Sequence, residues 1–71
     1  MKITLRQLQV FLEVARADSV SRAAERLAMS QSAVSSALGE LERQFDTLLF
    51  DRVGRVLRLN TMGEQLLPQV A

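Results

Sequence analysis

Gln31, Ser32, Ser35 and Ser36 fall on one side of a helix that begins after Ser30, taken at about 100° per residue. Their hydroxyl and amide groups are short and uncharged, and they both donate and accept hydrogen bonds. Gly39 joins this face, and charge enters only with Glu42 and Arg43 at its far end. A face shaped for solubility alone usually carries Lys and Glu. Small polar side chains instead let a helix approach a partner closely and exchange hydrogen bonds with it, as base edges in a major groove require. A Ser-rich face that is merely solvated fits the same pattern. At the start of this helix Ser30 is the expected N-cap, and the first backbone amides, at Gln31 and Ser32, are free to donate to a phosphate.

A second chemistry lies in the guanidinium groups. Eight of the nine basic residues are Arg, and Arg52, Arg55 and Arg58 lie within seven positions, opposed there only by Asp51. Such a ridge can enter a narrow minor groove or pair with phosphates; a weakly charged, solvated hairpin is the equal alternative. Arg6 stands on the polar side of the first helix, where it can reach a phosphate, a nearby carboxylate or solvent.

Other chemistries are poorly served. The chain has 71 residues, no Cys and no His, and a net charge of +1. That removes disulfides, thiol nucleophiles, zinc-finger ligands and the commonest neutral-pH base. Glu40 and Glu42 form the nearest carboxylate pair, but two residues apart on a helix they point to different faces. No enzyme, metal centre or cofactor is expected. One small domain of this length has a net core stability of about 3–5 kcal/mol. The small net charge argues against a nonspecific nucleic-acid binder. No apolar run approaches the roughly 18 residues of a membrane span, and no signal peptide is apparent, so no membrane partner and a cytoplasmic location are expected.

The elements that must position these groups follow from spacing and caps. Thr4 caps a first helix running to about Ala17, with Leu5, Leu8, Phe11, Leu12 and Ala15 as its apolar face. Asp18 and Ser19 form a break, and Ser21 is expected to cap a second helix whose Ala23, Ala24 and Leu27 face inward. The third helix turns Val34, Ala37, Leu38, Leu41 and Phe45 to the core and ends near Asp46. Segments 48–53 and 55–59 read as two strands around Gly54. Asn60 caps a last helix that Pro68 is expected to interrupt early. The fold class is mainly α: a winged helix-turn-helix with a three-helix core, a two-stranded wing and the start of a fourth, linker helix. Residues 1–60 form the domain and 61–71 the beginning of the linker.

This order of elements resembles the N-terminal DNA-binding domain of the LysR-type transcriptional regulators over nearly the whole chain. The matching residues are Leu8, Phe11, Ser19, Ser21, Ala23, Ala24, Leu27, Ser30-Gln31, Val34-Ser35, Leu41-Glu42, Leu49-Phe50, Arg52 and Gly63. The resemblance implies sequence-specific binding of double-stranded DNA at an inverted-repeat operator. It places Gln31, Ser32, Ser35 and Ser36 at base- and phosphate-contacting positions, Arg52 and Arg55 at those of the wing, and Arg6 at a backbone contact. It further implies an excised piece of a longer, ligand-responsive regulator that acts as a homodimer or higher homo-oligomer, with the fragment itself a monomer or weak dimer. Departures from the family pattern are Ser32 for Pro, Ser36 for Arg, Gly39 for a polar or basic residue, Asp46 for Gly and Asn60 for Thr. The other reading of the residues is a winged-helix module that docks a protein, or only dimerises, through its Ser-rich face.

Overall fold

The Thr4 side chain accepts the Gln7 backbone N–H while the Gln7 side chain accepts the Thr4 N–H, each at 3.1 Å. This reciprocal cap satisfies two donors at the start of helix α1 (Leu5–Ala17). The computed structural model describes residues 3–54 and 56–70. After α1 come α2 (Val20–Leu27), α3 (Gln31–Phe45), strands β1 (Phe50–Val53) and β2 (Val56–Leu59), and α4 (Thr61–Val70). The strands pair antiparallel, Phe50 with Leu59, Asp51 with Arg58, Arg52 with Leu57 and Val53 with Val56. The class is the expected one, mainly helical with a two-stranded wing.

Three helices close the core. Val10, Phe11 and Val14 of α1 meet Ala23 and Ala24 of α2 and Val34, Leu38 and Leu41 of α3, all buried. The two alanines allow α2 to lie close to its neighbours. Phe11 and Phe50 meet edge to face with ring centroids 5.6 Å apart, which ties the base of the wing to α1. The wing is fastened again by the Leu57 N–H, which donates to the Asp18 carbonyl at 3.2 Å.

Helices α1, α2 and α3 each end on a residue in the left-handed region, Asp18, Ala28 and Asp46, with φ of 52°, 55° and 54°. Asp46 thus ends α3 in the same conformation that Gly would adopt there, since the short Asp side chain tolerates it. Ala28 has no such side-chain compensation. It forms the tight turn between α2 and α3, where the Met29 N–H reaches back to the Ala24 carbonyl at 2.9 Å.

Four expectations are corrected. Leu5 is 72% exposed at the open end of α1, and Val10 and Val14 are buried beside Phe11, while Leu8, Leu12 and Ala15 of the expected face pack half-buried against the core. Ser19, not Ser21, caps α2, accepting the Arg22 N–H at 3.2 Å from an extended backbone. Strand β1 starts at Phe50, because the Leu49 N–H is taken by the Glu42 carboxylate at 2.8 Å. Helix α4 continues through Pro68 to Val70, since one missing backbone donor so near the end forfeits little. Asn60 caps α4 as expected, its Oδ1 accepting the Gly63 N–H at 2.9 Å.

Candidate nucleic-acid interface

Helix α3 lies with Val34, Leu38 and Leu41 inward, so Gln31, Ser32, Ser35 and Ser36 are all exposed on its outer side. Ser30 caps the helix, its Oγ accepting the Ala33 N–H at 3.0 Å. This holds the first turn in place and leaves the hydroxyl proton of Ser30 available. Glu40 and Arg43 pair with each other farther along α3.

The wing has two unlike faces. In an antiparallel pair, opposed residues share a face, so Arg52 and Leu57 lie with Phe50 and Leu59 on the side turned to the helices. Asp51, Arg58, Val53 and Val56 lie on the other side. Arg52 therefore projects along the inner face toward α3 rather than away from it. It lines an open cleft of about 420 Å³ together with Ser19, Val20, Ser21, Gln31, Ser35 and Leu57. A neighbouring hollow of about 480 Å³ continues along α3 past Ser35 and Gly39 to Glu42 and Leu48. Among the described residues, Arg52 makes no ion pair, whereas Arg16, Arg26 and Arg43 are paired with Glu13 or Glu40.

The structure brings Gln31, Ser35 and Arg52 together in one cleft. Ser32 and Ser36 lie on the exposed face of α3 outside it. Arg6 lies elsewhere, its Nη1 3.7 Å from the Met29 Sδ in the turn before Ser30, and it lines a groove with Glu13, Arg16 and Arg26. Arg55 lies outside the described residues. Sequence reasoning missed Ser21 as a member of this site, having assigned it to a cap. Its hydroxyl accepts the Gln31 Nε2 proton at 3.4 Å. It also missed Glu42 as the group that fixes the path from α3 into the wing.

Among the described residues, the arrangement offers hydrogen-bonding groups on the exposed face of α3 beside a cation that makes no ion pair. Among the described residues there is no cluster of metal-ligating side chains, and no helix is long and apolar enough to cross a membrane.

Comparison with known proteins agrees with this geometry. Residues 5–64 match the family described as bacterial regulatory helix-turn-helix protein, lysR family. An uncharacterized HTH-type transcriptional regulator of Escherichia coli (strain K12), YeiE, is 54% identical over 69 residues, which cover 97% of this chain and 24% of YeiE. The chain thus spans about a quarter of that relative's length. Oxidized OxyR of Corynebacterium glutamicum superposes with a TM-score of 0.93 at 34% identity, over 99% of this chain and 22% of OxyR. The DNA-binding domain of CbnR, solved as a complex with DNA, superposes with a TM-score of 0.88 at 31% identity, over 99% of this chain and 78% of that one. YeiE is named as a transcriptional regulator, and the chain belongs to the LysR family of bacterial regulatory helix-turn-helix proteins.

Proposed function

We propose that this chain is the sequence-specific DNA-binding domain of a transcriptional regulator, with α3 seated in the major groove and the wing on the adjacent minor groove or backbone. The observation that carries this reading is the convergence of Gln31, Ser35 and Arg52, which makes no ion pair among the described residues, on one open cleft between α3 and the wing. A helix that reads bases needs short groups able to enter the groove, and it needs cations beside it to hold phosphates in register. Gln31 and Ser35 read base edges; Ser32 and Ser36 contact bases or phosphates farther round the same helix. Ser30 anchors the helix start, where the exposed amides favour a phosphate. Arg52 and Arg55 serve the wing, and Arg6 contacts the backbone beside the helix-turn-helix turn. Likeness to a domain solved on DNA supports the same assignment.

Residues 1–60 form the DNA-binding unit and 61–71 open a linker helix, in a cytoplasmic protein longer than this chain. The relatives' greater length supports that extent. Two copies joined through the linker bind the two halves of an inverted repeat, as two-fold operators require of two-fold proteins; this chain alone is a monomer or weak dimer.

Fluorescence anisotropy against an inverted-repeat duplex selected by the chain and a scrambled duplex, each across a salt series, tests the proposal. Tighter binding to the repeat that persists as salt rises is expected. Equal, steeply salt-dependent binding overturns sequence-specific reading. Binding to neither overturns the proposal as a whole and favours the protein-docking alternative.

A further inference from the structure

The contact between Ser21 and Gln31 ties the first turn of α2 to the first turn of α3, ten residues on, across the helix-turn-helix. Both side chains are exposed and both line the Arg52 cleft. The contact adds little to folding: Ser21 is not the cap of α2, which is Ser19, and Ser21 is exposed. It bears instead on the amide, whose Nε2 rather than Oε1 faces the Ser21 Oγ, at 3.4 Å. A free Gln side chain on a helix surface rotates about its terminal bond and presents either its oxygen or its nitrogen to a partner. In this structure one of the two Nε2 protons is given to the Ser21 Oγ. Oε1 and the other Nε2 proton remain, an acceptor beside a donor.

Building on the reading of α3 as the recognition helix, we propose that Ser21 is a positioning residue that holds the Gln31 amide for adenine. In the major groove adenine presents N6–H as a donor and N7 as an acceptor, the complement of the pair left on Gln31. Guanine presents two acceptors, O6 and N7, and leaves Oε1 facing an acceptor. Fixing the amide before binding removes the rotamer freedom otherwise lost in the complex and raises the penalty for the wrong base. Ser21 thus contributes to specificity without itself reading a base.

The test is selection of preferred duplexes from a randomised inverted-repeat library, using the 71-residue chain and its variants Ser21→Ala, Ser21→Thr, Gln31→Ala and the Ser21→Ala/Gln31→Ala double. The unaltered chain is expected to prefer adenine at one position per half-site by about 5- to 150-fold, and Gln31→Ala to lose that preference. Ser21→Ala is expected to reduce it by about three- to tenfold with little change in melting temperature. Ser21→Thr keeps the hydroxyl and is expected to keep the preference. In the double variant, Ser21→Ala is expected to cost nothing beyond Gln31→Ala, because the hydroxyl acts only through the amide. An undiminished adenine preference in Ser21→Ala, or a Thr variant as poor as the Ala variant, overturns the positioning role while leaving Gln31 as a reader. A preference for guanine at the Gln31-dependent position overturns the amide orientation. A preference unaffected by Gln31→Ala overturns both the positioning role and the reading role of Gln31, and selection of no sequence at all overturns the DNA-reading function with them.

Discussion

The carbonyl oxygen of Leu49 lies where a Cβ on Gly63 would be only 2.3 Å from it, so the first turn of α4 rests directly on the backbone that leads into the wing. The Leu59 Cδ2 lies almost as near that position, at 2.6 Å. The carbonyl cannot retreat freely, because it accepts the Asn60 N–H at 3.0 Å, while the Asn60 side-chain amide donates to the neighbouring Leu48 carbonyl at 2.8 Å. Asn60 and Gly63 together fasten α4 to the wing.

Gly63→Ala is therefore expected to destabilise the domain by about 2–3 kcal/mol, the cost of overpacking a site that has no room to relax. Thermal unfolding followed by circular dichroism checks this; at this chain length each kcal/mol lowers the midpoint by about 4–8 °C. A midpoint equal to that of the unaltered chain would show that α4 can lift from the Leu49 carbonyl.

Gly39 gives the opposite expectation. A Cβ there meets nothing within 4 Å, and the residue lies inside α3 with no requirement for a special backbone angle. Gly39→Ala should raise stability by about 0.5–1 kcal/mol through the restricted unfolded chain and better helix propensity. Urea denaturation reads the change directly, and a loss of stability would reveal a constraint on α3 not visible in its packing.

Glu42 joins α3 to the wing through one hydrogen bond. Its Oε2 accepts the N–H of Leu49, a residue only 2% exposed. Removing the acceptor by Glu42→Ala leaves a buried donor without a protein partner, at a cost of about 1–3 kcal/mol. Glu42→Gln retains an acceptor oxygen and should cost less. Amide hydrogen exchange at Leu49 is the discriminating measurement: it should accelerate in the Ala variant more than in the Gln variant, and equal protection in all three proteins would remove Glu42 from this role.

Much of the fold is legible along the chain because its signals are local. Thr4, Ser30 and Asn60 announce helix starts through their own side chains, and the arc of Val34, Leu38 and Leu41 announces the core face of α3. The α1 face was less legible, since Leu5, Leu8 and Leu12 compete with Val10 and Val14 for one periodic pattern and only the neighbours decide between them. Two serines stand where one cap is needed before α2, and the extended backbone at Ser19, set by the left-handed Asp18, selects it over Ser21. The site divides in the same way. The polar face of α3 follows from periodicity alone. The links from Ser21 to Gln31 and from Glu42 to Leu49 depend on how separate elements come together, and no spacing rule along the chain reports them.

The proposed function gives Arg52 the task of holding DNA and Gln31 that of reading it. Arg52 stands opposite Leu57 on the inner face of the wing and makes no ion pair among the described residues, so its charge is available to a phosphate. A cation that neutralises one phosphate releases about one condensed counterion, and its loss flattens the plot of log affinity against log salt by about one unit. Arg52→Ala should therefore weaken binding to selected and scrambled duplexes alike, with that reduction in slope. Gln31→Ala, by contrast, should cost about 1–3 kcal/mol on the selected duplex, much less on the scrambled one, and leave the slope unchanged. Anisotropy titrations of both variants across the same salt series distinguish the two roles. An unchanged slope for Arg52→Ala would assign its guanidinium to a base or to the protein instead of the backbone.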